Sequence, residues 1–259
     1  MKMKSILIVN DDGVDSSGIR AAAEAVQGLG NIIIVAPSEQ NSGVGRSLSL
    51  RKPLGVRKTR IEDFQAYSVD GTPVDSVIIA LFSLLKHPPD LLISGINLGE
   101  NMSSEVTTSG TVCAAIEGAN HDVPSIAISL HLDEKLKFGK GASVDFTLSK
   151  KALRSISKKI LLKGLPSGVD VLNVNVPDSA VKNAPIMITR LAHRMYTARV
   201  SRMDMPAGGS SYLIDGDAIF DAEPGTDVYV VRVEKAISVT PLSLDFTAHD
   251  GIKDLEFGL

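Results

Sequence analysis

Two short aliphatic runs, Ser5 to Val9 (SILIV) and Ile32 to Val35 (IIIV), bracket an alanine-rich stretch from Ser17 to Gln27. A short aliphatic run without polar alternation fits a strand covered on both faces, as in parallel sheets. The stretch between them has helical composition, and Gly28 and Gly30 stand where a helix would end. Strand, helix, strand is a right-handed crossover unit, and it commits the chain to a parallel sheet.

The unit recurs. Thr72-Pro73 places a cap residue before a proline at the first helical position, and a helix is expected from Pro73 to about Leu85, broken by His87-Pro88-Pro89. Leu91 to Ile96 reads as the next buried strand. A small-residue helix, Thr111 to Gly118, precedes a strand from Ser125 to Ser129. Residues 1 to about 130 therefore predict a doubly wound α/β domain, whose sites lie beyond the carboxyl ends of its strands. The second half is less regular. It suggests a helix from Phe146 to Leu162, a strand from Asp170 to Val176, a β-rich stretch over 186–233 interrupted at Gly208 to Ser211, and a strand from Ile237 to Leu244.

Composition narrows the partners. Lys and Arg total 27 against 30 Asp and Glu, and aromatics are 4% with no Trp. With no basic run, nucleic-acid duplexes and anionic membranes are poor partners. Cys113 is the single cysteine, which excludes an intrachain disulfide and a cysteine zinc cluster. The N-terminus lacks the apolar core of a signal peptide, and Val77 to Leu85 is too short to span a bilayer. A cytoplasmic protein is expected.

Polar clusters stand at the strand ends. Asn10-Asp11-Asp12-Gly13 follows the first strand, Asn41-Ser42-Gly43 lies beyond the second, and Ser94-Gly95-Ile96-Asn97 ends a later one. Each alone is also ordinary turn or loop chemistry. If they converge, two carboxylates, a hydroxyl and an amide oxygen make a hard ligand set suited to Mg²⁺, Mn²⁺ or Ca²⁺ rather than zinc. Ser109-Gly110-Thr111 opens a helix, where free N–H groups and the dipole favour a phosphate, with a plain N-cap as the alternative. Two aspartates without a cation repel a phosphate dianion, so a divalent ion is expected to be needed for binding as well as chemistry.

The segments NDDGVDSSGI, VAPSEQNSG, GTPVDSV, PDLLISGINLGEN and SGTVCAAIEG, followed by LNVNVP, PGTDVYVV and ISVTPLSLDFTAH, occur in an order that resembles the SurE family of stationary-phase survival nucleotidases. The resemblance spans almost the whole chain. It implies a metal-dependent phosphatase of nucleoside 5′- and 3′-monophosphates, with polyphosphate trimming in some members. It also implies a Rossmann-like, three-layer, mostly parallel core over 1–185, a smaller β-rich oligomerisation extension over 186–233, and a C-terminal strand and tail over 234–259 returning to the core or to a partner subunit. A homodimer or homotetramer follows.

By motif position, Asp11, Asp12, Ser42 and Asn97 would ligate one divalent ion per subunit, Mg²⁺ or Mn²⁺, with Ca²⁺ able to occupy the same place. Asn101 and Ser109-Gly110-Thr111 would face the phosphate, and Asn10 and Gly43 would shape the pocket. Asp11 or Asp12 would take the proton of the attacking water. The chain departs from the family pattern at Ser103, where a second glycine is usual, at Thr108, where tyrosine is common, and in Asp15-Ser16-Ser17-Gly18, where an alanine is common. It ends soon after His249, so any exchange arm would be short. A non-catalytic nucleotide sensor and a polyphosphate-specific hydrolase are the alternative readings.

Other candidates have plainer explanations. Cys113 suits packing better than nucleophilic catalysis. Histidines 87, 121, 131, 193 and 249 share no metal spacing. His193 and Arg194 fit the surface better than the substrate, Arg46 is either a phosphate attractor or a solvated charge, Asp75 favours a helix dipole, and Asp15 is a turn residue.

Overall fold

The order of elements is β1 (Ser5–Val9), α1 (Ser17–Val26), β2 (Asn31–Pro37), β3 (Val56–Ile61), β4 (Phe64–Val69), α2 (Pro73–Ile79) running into a π-helical turn (Ala80–Leu84), and β5 (Leu91–Leu98). A 3₁₀ turn (Ser103–Thr107), α3 (Gly110–Asn120), β6 (Ser125–Leu130), α4 (Thr147–Lys163) and β7 (Val171–Val176) follow. Then come β8 (Ile186–Ile188), β9 (Arg199–Asp204), β10 (Ser210–Asp215), α5 (Asp227–Arg232), β11 (Ile237–Leu242) and a last 3₁₀ turn (His249–Asp254). The structure, a computed structural model, describes residues 3–132, 144–178, 181–204 and 209–255. The first residue of the expected Gly208 to Ser211 interruption and the tail residues 256–259 lie outside them.

Among the described residues, nine strands form one sheet in the order β3-β4-β2-β1-β5-β6-β7-β11-β8. From β4 through β7 neighbours are parallel, while β3 pairs antiparallel with β4 and β11 antiparallel with β7. The fold is thus an α/β, mostly parallel sheet with helices on both faces. Strand alternation on β1 shows how it is held. Ile6 and Ile8 point into one core with α1 and α4, and Leu7 and Val9 into a second core with α2 and α3. All four are fully buried, each contributing about 1.5–3 kcal/mol. Among the described residues no helix is long and apolar enough to cross a membrane.

The expected helices and core strands are present, with ends shifted by a few residues. The β3–β4 hairpin is an addition. β3 exposes Arg57, Lys58 and Arg60, so it reads as polar loop, yet an edge strand tolerates such a face and is protected by it. Residues 186–233 divide three ways. β8 joins the main sheet beside β11, β9 and β10 form a separate antiparallel ribbon, and Asp227–Arg232 is helical. The Val-Tyr-Val-Val run has strand propensity. The Thr226 side chain caps it as a helix by accepting from Tyr229 N, and Val228 and Val231 pack on Met102, Ala192 and Met195.

Candidate active site

The strand order reverses between β1 and β5. β1 leads outward to β2, and the chain returns on the other side at β5, so their carboxyl ends flank a crevice at the switch point. Register places Val9 opposite Ser94, which sets Asn10-Asp11-Asp12 against the end of β5. There β5 bulges between Ser94 and Asn97 relative to β6. Helix α1 seats directly on that bulge, because a Cβ on Gly18 would lie 1.9 Å from Ile96 O.

The loop after β1 is fixed from within. Asn10 is buried, and its Nδ2 donates to Gly13 O (2.9 Å) and to Ser16 Oγ (2.7 Å); Ser16 in turn caps α1. Asn10 Oδ1 is buried without a hydrogen-bond partner among the described residues. Asp11 is buried beneath the start of α3. The Thr111 hydroxyl donates to its carboxylate, and a Cβ on Gly110 would sit 2.8 Å from Asp11 Cβ. Asp11 O accepts from Asn41 N (2.7 Å), tying the first two loops together.

Asp12 reaches the other two loops. Its Oδ2 is 3.4 Å from Leu98 N, and its Oδ1 has a long 3.5 Å contact with Gln40 Nε2, which also donates to Ser42 Oγ (3.1 Å). Asn97 uses its Nδ2 on Gly99 O (2.7 Å), so the amide oxygen is the group it offers. Burial pushes the Asp11 carboxyl above its usual range against the opposing hydrogen bonds. Asp12 is pushed up to about 6, by burial first and then by the charge of Asp11. Two adjacent carboxyls that resist ionisation mark a place short of positive charge.

The donor chemistry fits a hard divalent ion. Among the described residues no group of three His, Cys, Asp or Glu side chains could hold a metal, and none is required here. The candidate set offers two carboxylates, a hydroxyl and an amide oxygen, the donor types that a hard divalent ion takes. Ser42 and Gly43 are exposed, so the crevice opens on their side, and Gly43 takes φ 71, which favours glycine.

The phosphate-facing candidates divide. Ser109 Oγ accepts from Val112 N (3.1 Å), the plain N-cap arrangement, and the Thr111 hydroxyl goes to Asp11. The helix start therefore meets the Asp11 carboxylate first. Asn101 Nδ2 donates to Ser129 Oγ (2.8 Å), while its backbone N donates to Asn175 Oδ1 (2.8 Å) and its carbonyl accepts from Asn173 and Asn175.

Of the other residues, Arg46 is committed to a third role. Its Nε and Nη2 each lie 2.7 Å from buried Glu117 Oε2, so its charge is paired there while the side chain stays partly in solvent. Cys113 is buried and its thiol is pushed up to about 11, mainly by burial, which suits packing. Asp75 completes a capping box with Thr72; Asp15, His193 and Arg194 are exposed. Gln40, which spans Asp12 and Ser42, carries no sequence signal beyond its place two residues before Ser42 in SEQNSG.

Comparison with known proteins identifies the family. The chain matches the family described as "Survival protein SurE" over residues 6–198. It is 47% identical over 255 residues to a relative from Methanocella arvoryzae named "5'-nucleotidase SurE", covering 97% of this chain and 96% of that one. A relative of the same name from Archaeoglobus fulgidus is 48% identical over 244 residues, covering 94% and 92%. The crystal structure of the SurE protein from Aquifex aeolicus superposes with a TM-score of 0.82 at 38% identity, covering 97% and 98%. The chain belongs to the SurE family.

Proposed function

We propose that this chain is a divalent-metal-dependent 5′-nucleotidase that hydrolyses nucleoside 5′- and 3′-monophosphates to nucleoside and phosphate, in the cytoplasm. The observation that carries the reading is the pair Asp11–Asp12 at the switch point, with carboxyls raised by burial and contacts to the loops of Ser42 and Asn97. Relatives at 47% and 48% identity bear the name 5′-nucleotidase over almost their whole length.

In this reading Asp11, Asp12, Ser42 and Asn97 hold the ion, Mg²⁺ or Mn²⁺. When bound, the ion polarises the phosphoryl oxygens and lowers the pKa of an attacking water. Asp11 is held still by Thr111, which suits a ligand. Asp12 is reached only by long contacts, which suits the group that accepts the water proton. The Asn101 side chain, fixed at its Nδ2 by Ser129, orients the phosphate beside the α3 start. The cage reads the phosphoryl end, which supports turnover of both 5′ and 3′ esters and of terminal polyphosphate residues. Phosphate release from AMP, 3′-AMP and polyphosphate tests this reading. Asp11→Asn and Asp12→Asn should each lower AMP turnover by at least about 10²-fold, and a near-normal rate in either variant would remove that residue from the mechanism.

The extension is assigned to oligomerisation. Its ribbon exposes Val200, Met203, Tyr212, Leu213 and Ile214, an apolar set unusual for a free surface. Sedimentation should give a dimer or tetramer, and Leu213→Asp with Ile214→Asp should shift it toward monomer; a monomeric parent protein would contradict the assignment.

A further inference from the structure

The loop after β5 carries Asn97 and Asn101, and it is gripped from outside the core at two neighbouring positions. Glu100 immediately precedes Asn101, and its side chain is 1% exposed. Its Oε1 accepts from Tyr196 OH (2.6 Å) and Arg232 Nη2 (2.9 Å), and its Oε2 lies 2.9 Å from His131 Nδ1. Arg232 is equally buried and donates through Nη1 to Met195 O (2.6 Å) and Ile219 O (2.8 Å). Its guanidinium carbon stands 4.9 Å from the centre of the Tyr196 ring. Two residues past Asn101, Ser103 N donates to Asp227 Oδ2 (2.8 Å), and Asp227 Oδ1 accepts from Ala192 N (2.8 Å). Asp227 and Arg232 are the first and last residues of α5.

A buried ion pair is a weak source of net stability, because desolvation offsets most of the attraction. What the pair does supply is geometry. A guanidinium fork held by two carbonyls and a carboxylate admits few arrangements. Ser103 adopts φ 59, a left-handed conformation that a serine keeps only where its surroundings fix it. Both constraints fall on the Asn97–Ser103 segment and both come from one helix.

We propose that α5 is a positioning clamp for the active site. Arg232 acts through Glu100 and Asp227 through Ser103, and together they hold the loop so that Asn97 and Asn101 meet the metal and the phosphoryl group. The inference rests on the site assigned above. Arg232, Asp227 and Glu100 are positioning residues, since they act through the loop.

The test compares Arg232→Met, Arg232→Lys and Asp227→Asn with Ile160→Val, a control that trims the buried face of α4. Three quantities are read: kcat and KM for AMP with Mn²⁺, hydrogen exchange over residues 97–103, and melting temperature. Arg232→Met should lower kcat by about tenfold or more, as expected for a sub-ångström misplacement, with KM changed by less than about threefold. It should also speed loop exchange by about tenfold. Arg232→Lys should recover part of both, while Ile160→Val lowers the melting temperature and leaves kcat and loop exchange alone. A loss of kcat and protection in Arg232→Met no larger than in the control would overturn the clamp. If Arg232→Met does not fold, Asp227→Asn takes its place, putting an amide nitrogen against either Ser103 N or Ala192 N; unchanged kcat and loop exchange there overturn the proposal. A wild-type protein that releases no phosphate from nucleotides defeats the nucleotidase reading instead, and the exchange data then judge the clamp alone.

Discussion

Asp11 and Thr111 are 100 residues apart and share a hydrogen bond at the floor of the crevice. The carboxylates were legible in the sequence because two acids at the end of an aliphatic strand need a reason. Ser42 and Asn97 were legible as polar residues at other strand ends. Their partners were not. That Thr111 serves Asp11, that Gln40 spans Asp12 and Ser42, and that Arg46 is taken by Glu117 depend on how separate loops approach one another. Asp12 gives a pH-dependent consequence. Its carboxyl is raised to about 6 from 3.8, so between those values the folded chain binds the proton that the unfolded chain releases. The stabilising contribution is complete below pH 3.8 and is lost as pH rises through about 6. Urea unfolding of the chelated protein should therefore show stability falling over this window more steeply than in Asp12→Asn, and Mn²⁺ should restore it at pH 7. Parallel profiles for the two proteins would show that Asp12 carries no such penalty.

At the scale of elements, local composition decided where packing agreed with it. The β1–α1–β2 unit was readable because aliphatic runs, an alanine-rich stretch and terminal glycines all pointed the same way. β3 was hidden by its charges, and α5 by its valines, since pairing at a sheet edge and burial against Met102 and Met195 outweigh propensity. The packing of α1 on the β5 bulge is the contact that sets the two walls of the crevice. Gly18→Ala puts a methyl group against the Ile96 carbonyl, which must then move. It should cost about 1–3 kcal/mol in urea unfolding, with a parallel loss of AMP turnover as Asn97 is displaced. A variant of parental stability would mean that the contact between α1 and the bulge yields freely.

For the whole molecule, the doubly wound sheet turns scattered polar loops into one site, and the reversal between β1 and β5 fixes its location. Order along the chain made that architecture legible through β7. The division of residues 186–233 into sheet, ribbon and helix was not, because β8 and α5 acquire their roles only from β11 and the β5 loop. The proposed activity joins these scales through a divalent ion held between the acids and a phosphoryl group. Phosphate release from AMP, followed while EDTA-treated protein is titrated with Mn²⁺, tests that joint most directly. In EDTA phosphate release should stop and AMP binding should weaken, and both should recover at about one ion per subunit. Undiminished phosphate release after complete chelation would contradict the metal dependence.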